Sequence, residues 1–120
     1  MKTNKTVYTE PQCTTHLSAT EGALYVLGSR WTIRVMIAIL SGHTRFNELQ
    51  RTVKGISARV LSSELKKLEI NHLVERTVLA DQKPVIVNYV PTVYSKSLKG
   101  VISALAEWGI KHKKKITDHE

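Results

Sequence analysis

The chain has 120 residues, a formal net charge of +8 and a pI of about 9.8. This length suits a single domain, because splitting it would leave pieces too small to build good cores. Hydrophobic residues make up 42% of the chain, which excludes an intrinsically disordered protein. The excess of positive charge favours a polyanionic partner, with nucleic acid first and an anionic membrane surface second.

The sequence carries no signal for membrane insertion or secretion. No apolar run approaches the roughly 20 residues that a membrane-spanning helix needs. The N-terminal stretch MKTNKTVYTEPQCTTH lacks the apolar centre of a signal peptide. We therefore expect a cytoplasmic protein with no membrane partner. The single cysteine, Cys13, excludes an intrachain disulfide and a cysteine-based zinc site, while a disulfide between two chains stays open.

The N-terminal region predicts an arm followed by a short helix. Residues 1–15 are polar and include Pro11, so we expect an extended arm. The sequence from Ser18 to Glu21 fits a capping box, in which each side chain bonds the other's free backbone N–H. The first helix is therefore expected to begin there and to end at Gly28 in a left-handed conformation.

Two further helices are predicted before residue 54. Ser29 is a candidate cap for the second helix, whose apolar residues at 31–40 occupy most sides. Such a helix is expected at the buried centre of the domain, and Gly42 ends it. The third helix is predicted for residues 45–53, with apolar residues at helical spacing on one face. These residues are Phe46, Leu49 and Val53.

The fourth helix, residues 57–70, has the clearest division into faces. It follows a turn at residues 54–56, and Ser57 is a good N-cap. Three leucines at i, i+4 and i+7 are expected to pack inward, with Val60 and Glu64 on the flank. The leucines are Leu61, Leu65 and Leu68. The outward face is small, polar or cationic, and consists of Arg59, Ser62, Ser63, Lys66 and Lys67.

The C-terminal half predicts a hairpin and a long helix. Two β-rich runs, residues 73–79 and 85–90, flank a polar loop at 80–84. Pro91 breaks the second strand, and a last helix is predicted for residues 93–115 with a short tail at 116–120. That helix ends in a run of lysines, which is favourable at the negative end of a helix dipole. Its apolar stripe consists of Leu98, Val101, Ile102, Leu105 and Trp108.

The order of these elements is that of a winged helix-turn-helix. The predicted fold is mainly α with a β-hairpin wing (α+β), about five helices plus a two-stranded wing, within a domain at residues 16–115. Two helices alone would equally suit a helical hairpin in a core, and the strands that follow favour the winged helix.

The predicted function is binding to double-stranded DNA. An outward helix face of small and cationic residues suits the major groove, where bulky residues would clash with bases and acidic ones would be repelled by phosphate. Arg59 and Lys66 can donate to guanine or to phosphate, although a solvated surface role is open for each residue taken singly. The predicted DNA-binding residues are Arg45, Ser57, Ala58, Arg59, Ser62, Ser63, Lys66, Arg76 and Lys83.

Other chemistries find no support in the sequence. The five histidines, at positions 16, 43, 72, 112 and 119, show no metal-ligand spacing. A glycine-rich phosphate loop, a nucleophile elbow and a paired-carboxylate site are absent from the sequence, so we expect no enzyme, metal or cofactor. Cys13 is either an inert, half-buried residue or an exposed thiol whose reactivity a nearby cation or helix N-terminus would raise.

Blocks of this sequence resemble the HxlR-type bacterial winged helix-turn-helix regulators, a branch near the MarR group. They run in order from Cys13 through ALYVLGSRWT, RFNEL, GIS, VLSSELKKLE, LVERTV, VNY and PT to AEWG, and cover nearly everything up to about His112. The resemblance implies a homodimeric DNA-binding regulator that pairs its chains through the first helix region and the helix at 93–115. In such a dimer two recognition helices would enter successive major grooves, so we expect a palindromic operator. It also implies that some members sense oxidants or electrophiles through an N-terminal cysteine, which Cys13 matches.

The chain departs from the family pattern at three points. Thr14 follows the cysteine where the family commonly has proline. The family also commonly has a glycine in the pattern that opens the last helix, whereas here the first glycine of that helix is Gly100. A second cysteine is missing, so a thiol switch would be a Cys13 bond between chains, a mixed disulfide or direct alkylation. Two other functions stay open: a winged-helix module that binds protein, and a thiol redox protein with incidental DNA binding.

Overall fold

The structure, a computed structural model, describes residues 6–118 and contains five α-helices and one two-stranded antiparallel sheet in that range. This confirms the predicted mainly α fold with a β-hairpin wing. The elements are α1 (Glu10–Leu27), α2 (Thr32–Leu40), α3 (Phe46–Thr52), α4 (Ala58–Ile70), β1 (Val74–Leu79), β2 (Ile86–Pro91), a 3-10 turn (Tyr94–Ser97) and α5 (Leu98–Thr117).

Helix α1 begins earlier than predicted. Thr9 is its N-cap: the Thr9 Oγ1 accepts from the Gln12 backbone N at 3.3 Å, and Gln12 Oε1 accepts from the Thr9 backbone N at 2.9 Å. Pro11 falls in the first turn, where its missing N–H costs nothing. The extended arm is therefore wrong for residues 10–15, and the predicted capping box at Ser18 lies inside the helix. Residues 1–5 of that arm lie outside the described residues.

The link from α1 to α2 also differs from the prediction. Gly28 has φ −81°, so it is right-handed rather than left-handed. A glycine is needed at position 28 for lack of space, because a Cβ there would collide with the Leu24 carbonyl oxygen. Ser29 does not cap α2, whose N-cap is Trp31; instead the Ser29 Oγ accepts from the Trp31 backbone N at 2.9 Å, which forms a tight bend.

The hydrophobic core lies between α2, α3, α4 and the start of β1. Helix α2 is its centre, as predicted, although Ile37 on one side is 41% exposed. The three leucines of α4 are buried, which confirms the inward face of that helix. The core consists of Val35, Met36, Ala38, Ile39, Leu49, Val53, Ile56, Leu61, Leu65, Leu68, Leu73 and Val74.

Helices α3 and α4 form the helix-turn-helix. Gly55 in the turn has φ +88°, a conformation that favours glycine. Ser57 caps α4 as predicted, since its Oγ accepts from the Val60 backbone N at 3.1 Å. The turn and the cap together set the direction in which the N-terminus of α4 leaves the core.

The wing is a regular hairpin attached to α3. Strands β1 and β2 pair antiparallel, with Val74 opposite Pro91 at one end and Leu79 opposite Ile86 at the other. Pro91 is therefore the last residue of β2 and does not break the strand before it. The Tyr89 backbone N donates to the Thr44 carbonyl at 2.8 Å. This bond ties β2 to the chain two residues before α3 and fixes the wing beside the helix-turn-helix.

Helices α1 and α5 extend away from the core. Helix α5 begins at Leu98, later than the predicted residue 93, because the buried Ser95 closes a 3-10 turn on Thr92. It ends at Thr117, so residues 116–117 of the predicted tail are helical, and residues 119–120 lie outside the described residues. The division into arm, domain and tail stays a prediction.

The described chain is elongated. Its radius of gyration is 18.4 Å with extents of 71 × 38 × 23 Å, whereas a compact chain of this length would have a radius of about 14 Å. Neither α1 nor α5 contains a buried residue. Within residues 6–118 no single helix is long and apolar enough to cross a membrane, and α1 with α2 meets that test only as a pair bent by 70°.

Candidate nucleic-acid interface

The outer face of α4 is open to solvent along its length. The predicted contact residues on this helix are all exposed, while Val60 is half-buried beside them. The stretch from Ser57 to Ser63 contains a cation and three serines but no acidic residue. Since a helix N-terminus carries partial positive charge, this end attracts anions. The exposed residues are Ser57, Ala58, Arg59, Ser62, Ser63 and Lys66.

Glu64 and Lys67 belong to a polar network on the inner side of α4, which corrects their predicted flank and outward positions. Glu64 is 8% exposed. Its Oε1 accepts from the Thr32 Oγ1 at 2.7 Å and its Oε2 from the Ser29 Oγ at 2.9 Å. Lys67 is half-buried, with Nζ 3.4 Å from Glu64 Oε1 and 3.0 Å from the Thr32 Oγ1. We call these four side chains the Glu64 network.

The Glu64 network has two consequences for α4. It joins the middle of α4 to the start of α2, which fixes the rotation of α4 on the core. It also turns the carboxylate inward, so that no negative charge from Glu64 lies on the exposed face. Ser29 and Thr32 were not predicted as members of this network, because their partner is more than 30 residues away in sequence. The signal in the sequence was Glu64 between the inward-facing Leu61 and Leu65, with Lys67 three residues later.

A groove separates α4 from the wing. It is lined by Ser62 and Lys66 from α4, by Arg76 and Tyr89 from the wing, and by Glu69 nearer the end of α4. The structure thus brings together three of the predicted contact residues. Arg76 pairs across the strands with Tyr89 and is exposed. Lys83 lies apart from this groove, exposed in the hairpin loop.

Arg45 lies at the start of α3 and contacts the wing. Its Nε donates to Asn88 Oδ1 at 2.9 Å. One turn further, Glu48 accepts from the Thr44 backbone N at 3.1 Å. The imidazole of His43, with Nδ1 3.2 Å from Glu48 Oε2, and that backbone N–H lower the pKa of the Glu48 carboxyl. The Arg45 side chain is exposed, and its hydrogen bond to Asn88 of β2 orients the guanidinium group.

Cys13 lies in the first turns of α1 rather than in an arm. It is half-buried, and its backbone N donates to the Thr9 carbonyl at 2.8 Å. The rings of Tyr8 and His16 contact each other nearby in sequence, with centroids 4.5 Å apart. The thiol thus lies on a helix that has no buried residue in this chain.

The apolar stripe of α5 divides into two parts. Leu98 and Ile102 are half-buried, and Leu98 packs against the core. Val101, Leu105 and Trp108 are exposed, with Trp108 at 61%. Helix α1 likewise exposes Leu17, Leu24 and Tyr25.

Metal-ligating side chains do not gather within residues 6–118, where no three His, Cys, Asp or Glu residues form a group that could hold an ion. His119 lies outside the described residues.

The fold and the exposed α4 face agree with the match to known families. The model of the HxlR-like helix-turn-helix family matches residues 26–117. The chain belongs to this family. The family resemblance that the sequence blocks suggested is therefore confirmed, and the matched region runs from the end of α1 to the end of α5.

Relatives of this chain are transcriptional regulators. The regulator YodB of Bacillus subtilis is 36% identical over 88 residues, which cover 73% of this chain and 78% of YodB. YvaP, an HTH-type regulator of the same organism, is 33% identical over 73% of this chain and 81% of its own length. The redox regulator HypR in its reduced form has a TM-score of 0.76 at 29% identity, covering 84% of this chain and 99% of HypR.

The family and its members fix the general role. They are helix-turn-helix transcriptional regulators and not enzymes, so this chain is a DNA-binding transcriptional regulator of the HxlR-like type.

Proposed function

We propose that the chain is a sequence-specific regulator that binds a palindromic operator as a homodimer. The observation that supports this most directly is the outer face of α4: exposed, small, cationic, and free of the Glu64 carboxylate. An α-helix with such a face fits the major groove and can reach base edges. Because chromosomal DNA is the partner, we expect the protein to act in the cytoplasm.

The proposed contacts divide by type. Arg59 and Lys66 donate to guanine O6 and N7 or to phosphate, and the serines and Ala58 allow close approach of α4 to the bases. Arg76 and Lys83 contact the sugar-phosphate backbone from the wing, and Arg45 does so from the start of α3. Phosphate contacts position the protein, while contacts to base edges select the sequence.

The homodimer is proposed from the exposed apolar surface of α1 and α5. Two long helices without a buried residue, in an elongated chain, leave large apolar side chains of both helices in water, and contiguous apolar surface of this kind marks interaction sites. Pairing them across a two-fold axis would cover Val101, Leu105 and Trp108. The two α4 helices would then enter successive major grooves about 34 Å apart, which requires a palindromic site.

Fluorescence anisotropy tests specific binding. The titration uses the labelled duplex upstream of the protein's own gene, at near-physiological salt with excess unrelated DNA. Specific regulators bind their operators about 10³ to 10⁷ times more tightly than other sequences. Binding that resists the competitor supports the proposal. A contrary result is that the competitor abolishes binding, both to this duplex and to any duplex selected from a random library. That result would contradict specific binding and favour the winged-helix module that binds protein.

Replacing Arg59 with alanine should weaken specific binding while the fold stays intact, because the side chain is exposed. We expect the operator dissociation constant to rise by about tenfold to a hundredfold for each half-site, the cost of removing one arginine–guanine pair per chain of the dimer. Anisotropy on operator and scrambled duplex measures this, with Lys113→Ala as a control that also removes one positive charge. Equal effects of the two substitutions would remove Arg59 from the base contacts.

We also propose that Cys13 makes DNA binding responsive to oxidants or electrophiles. The relative YodB has been solved in reduced, diamide-treated and quinone-bound forms, which are 30–36% identical to this chain. Here one cysteine is available per chain. The thiolate would add to a ring carbon of a quinone, or attack a small disulfide to form a mixed disulfide with release of one thiolate. The Cys13 thiols of two chains would form one disulfide bond only with an oxidant such as diamide, which takes up the two electrons and two protons.

Substitution of Cys13 by serine should preserve DNA binding and abolish its response to quinone. Because the thiolate is the nucleophile, wild-type protein should gain one quinone adduct per chain in intact-protein mass spectrometry. The operator affinity of the modified protein should then differ from that of the untreated protein. The serine variant, treated identically, is the control. A wild-type protein that forms the adduct with unchanged affinity would refute the sensing role and leave the DNA-binding proposal intact.

A further inference from the structure

A second cationic surface adjoins the N-terminal end of α4. Arg30 and Arg34 each place their guanidinium carbon 4.7 Å from the centroid of the Trp31 ring, and both side chains are exposed. None of these residues was among the predicted DNA contacts. The signal available in the sequence was the pair of arginines, four residues apart, around a tryptophan at the start of a helix.

This surface is attached to the turn of the helix-turn-helix. The Arg34 Nη2 donates to the Lys54 carbonyl at 3.2 Å. A Cβ placed on Gly55 would lie 3.6 Å from Trp31 Cη2, so the indole packs directly on the turn. The turn leads after two residues to Ser57, the N-cap of α4. Arg30, Arg34 and Lys54 therefore flank the end of α4 that is proposed to enter the groove.

The local charge is of one sign. Residues 29–34 and 51–59 contain five cations and no aspartate or glutamate. The acidic side chain that contacts this region, Glu64, is buried against Ser29 and Thr32 and pairs with Lys67. The exposed surface is thus positive, and a polyanion is the partner it fits.

We infer that Arg30, Arg34 and Lys54 form a second phosphate-binding surface, which contacts the DNA backbone beside the major groove that α4 enters. The inference rests on the proposed DNA binding and extends it. In helix-turn-helix complexes the helix before the recognition helix crosses the DNA backbone, so cations beside the turn between these two helices lie close to phosphates. Arginines already packed on an indole ring lose less side-chain freedom on binding a phosphate than free ones do.

The salt dependence of DNA binding tests this surface. Removing one phosphate-binding cation should lower the slope of log Kobs against log salt by about 1. The slope is negative, and we expect Arg30→Gln to make it shallower by about 1 per bound chain, on operator and on scrambled duplex alike. The double variant, Arg30→Gln with Arg34→Gln, should make it shallower by about twice as much. Lys113→Gln, with the same charge change near the end of α5, should leave the slope unchanged.

The outcomes separate this surface from the proposed function. An unchanged slope for both arginine variants overturns the surface, while the Arg59 result still decides sequence-specific binding. A lowered slope on scrambled duplex supports the surface even where operator discrimination fails. Arg34→Gln also removes the bond to the Lys54 carbonyl, so thermal unfolding of each variant is measured, and Arg30→Gln alone decides if the double variant unfolds.

Discussion

Replacing Glu64 with alanine should lower the free energy of unfolding by about 2–3 kcal/mol, the range for losing hydrogen bonds to a buried charged group. The Glu64 carboxylate accepts from Thr32 at 2.7 Å and from Ser29 at 2.9 Å, with the Lys67 ammonium at 3.4 Å. Alanine leaves both hydroxyl groups without their acceptor, and it leaves the Lys67 ammonium with the Thr32 hydroxyl but without its ion-pair partner. It also leaves space under α4, since Glu64 is 8% exposed.

Urea unfolding measures this loss, and two variants control it. Glu75→Ala removes an exposed carboxylate from β1 and should change stability by no more than about 0.5 kcal/mol. Glu64→Gln keeps an acceptor of similar size and should cost less than alanine. Equal stabilities of Glu64→Ala and Glu75→Ala would show that the Glu64 network does not hold α4 on α2.

A double-mutant cycle assigns the loss to the network itself. Thr32→Val removes the hydroxyl that donates to Glu64 and keeps the branched shape. The two substitutions should couple by at least about 0.5 kcal/mol, because the two residues are in contact. Additive losses would mean that the packing of α4, rather than this hydrogen bond, accounts for the effect.

Replacing Trp108 with alanine should weaken the proposed dimer by at least about 2 kcal/mol, which is typical of an aromatic residue at the centre of an interface. That corresponds to a rise of about 30-fold in the dimer dissociation constant. Trp108 is 61% exposed in the single chain, and its ring stacks on His112 with centroids 4.6 Å apart. A large, exposed, oriented indole on a helix without buried residues is suited to a partner surface.

Sedimentation equilibrium over a dilution series measures the dimer. Ile70→Ala is the control, because Ile70 is an apolar residue of α4 that is 68% exposed and outside α1 and α5. Circular dichroism confirms that both variants are folded. A dimer constant that Trp108→Ala leaves unchanged would place the interface elsewhere than the exposed stripe of α5.

The helix-turn-helix and the wing could be predicted because their signals are local. Three leucines at helical spacing define the inner face of α4, and Ser57 caps it through its neighbour Val60. The two β-rich runs pair across a short loop. Each of these interactions joins residues close in sequence, so pattern and propensity suffice to find it.

The errors arose where two local signals competed or where the partner was distant. Both Thr9 to Gln12 and Ser18 to Glu21 are compatible with a reciprocal cap, and the earlier one begins α1. A polar stretch containing Pro11 reads as an arm, although proline is tolerated in a first helical turn. The burial of Glu64 depends on hydroxyl groups from the start of α2, which no helical periodicity reveals.

The positions of the cations illustrate the same limit. The outer face of α4 follows from periodicity, whereas the contact of Trp31 with the turn at Gly55 exists only once α2 packs beside α3 and α4. Nothing in the sequence alone connects Arg30 and Arg34 with α4. Their position beside the N-terminal end of α4 is a property of the packed domain.

Selection of bound duplexes from a randomised library, at near-physiological salt, shows directly whether α4 recognises a DNA sequence. We expect enrichment of an inverted repeat whose half-site centres lie about 10 base pairs apart, one per α4 helix of the dimer. The same selection with Arg59→Ala should lose information at a base pair in each half-site. Recovery of no common sequence by the wild-type protein would contradict sequence-specific recognition by α4.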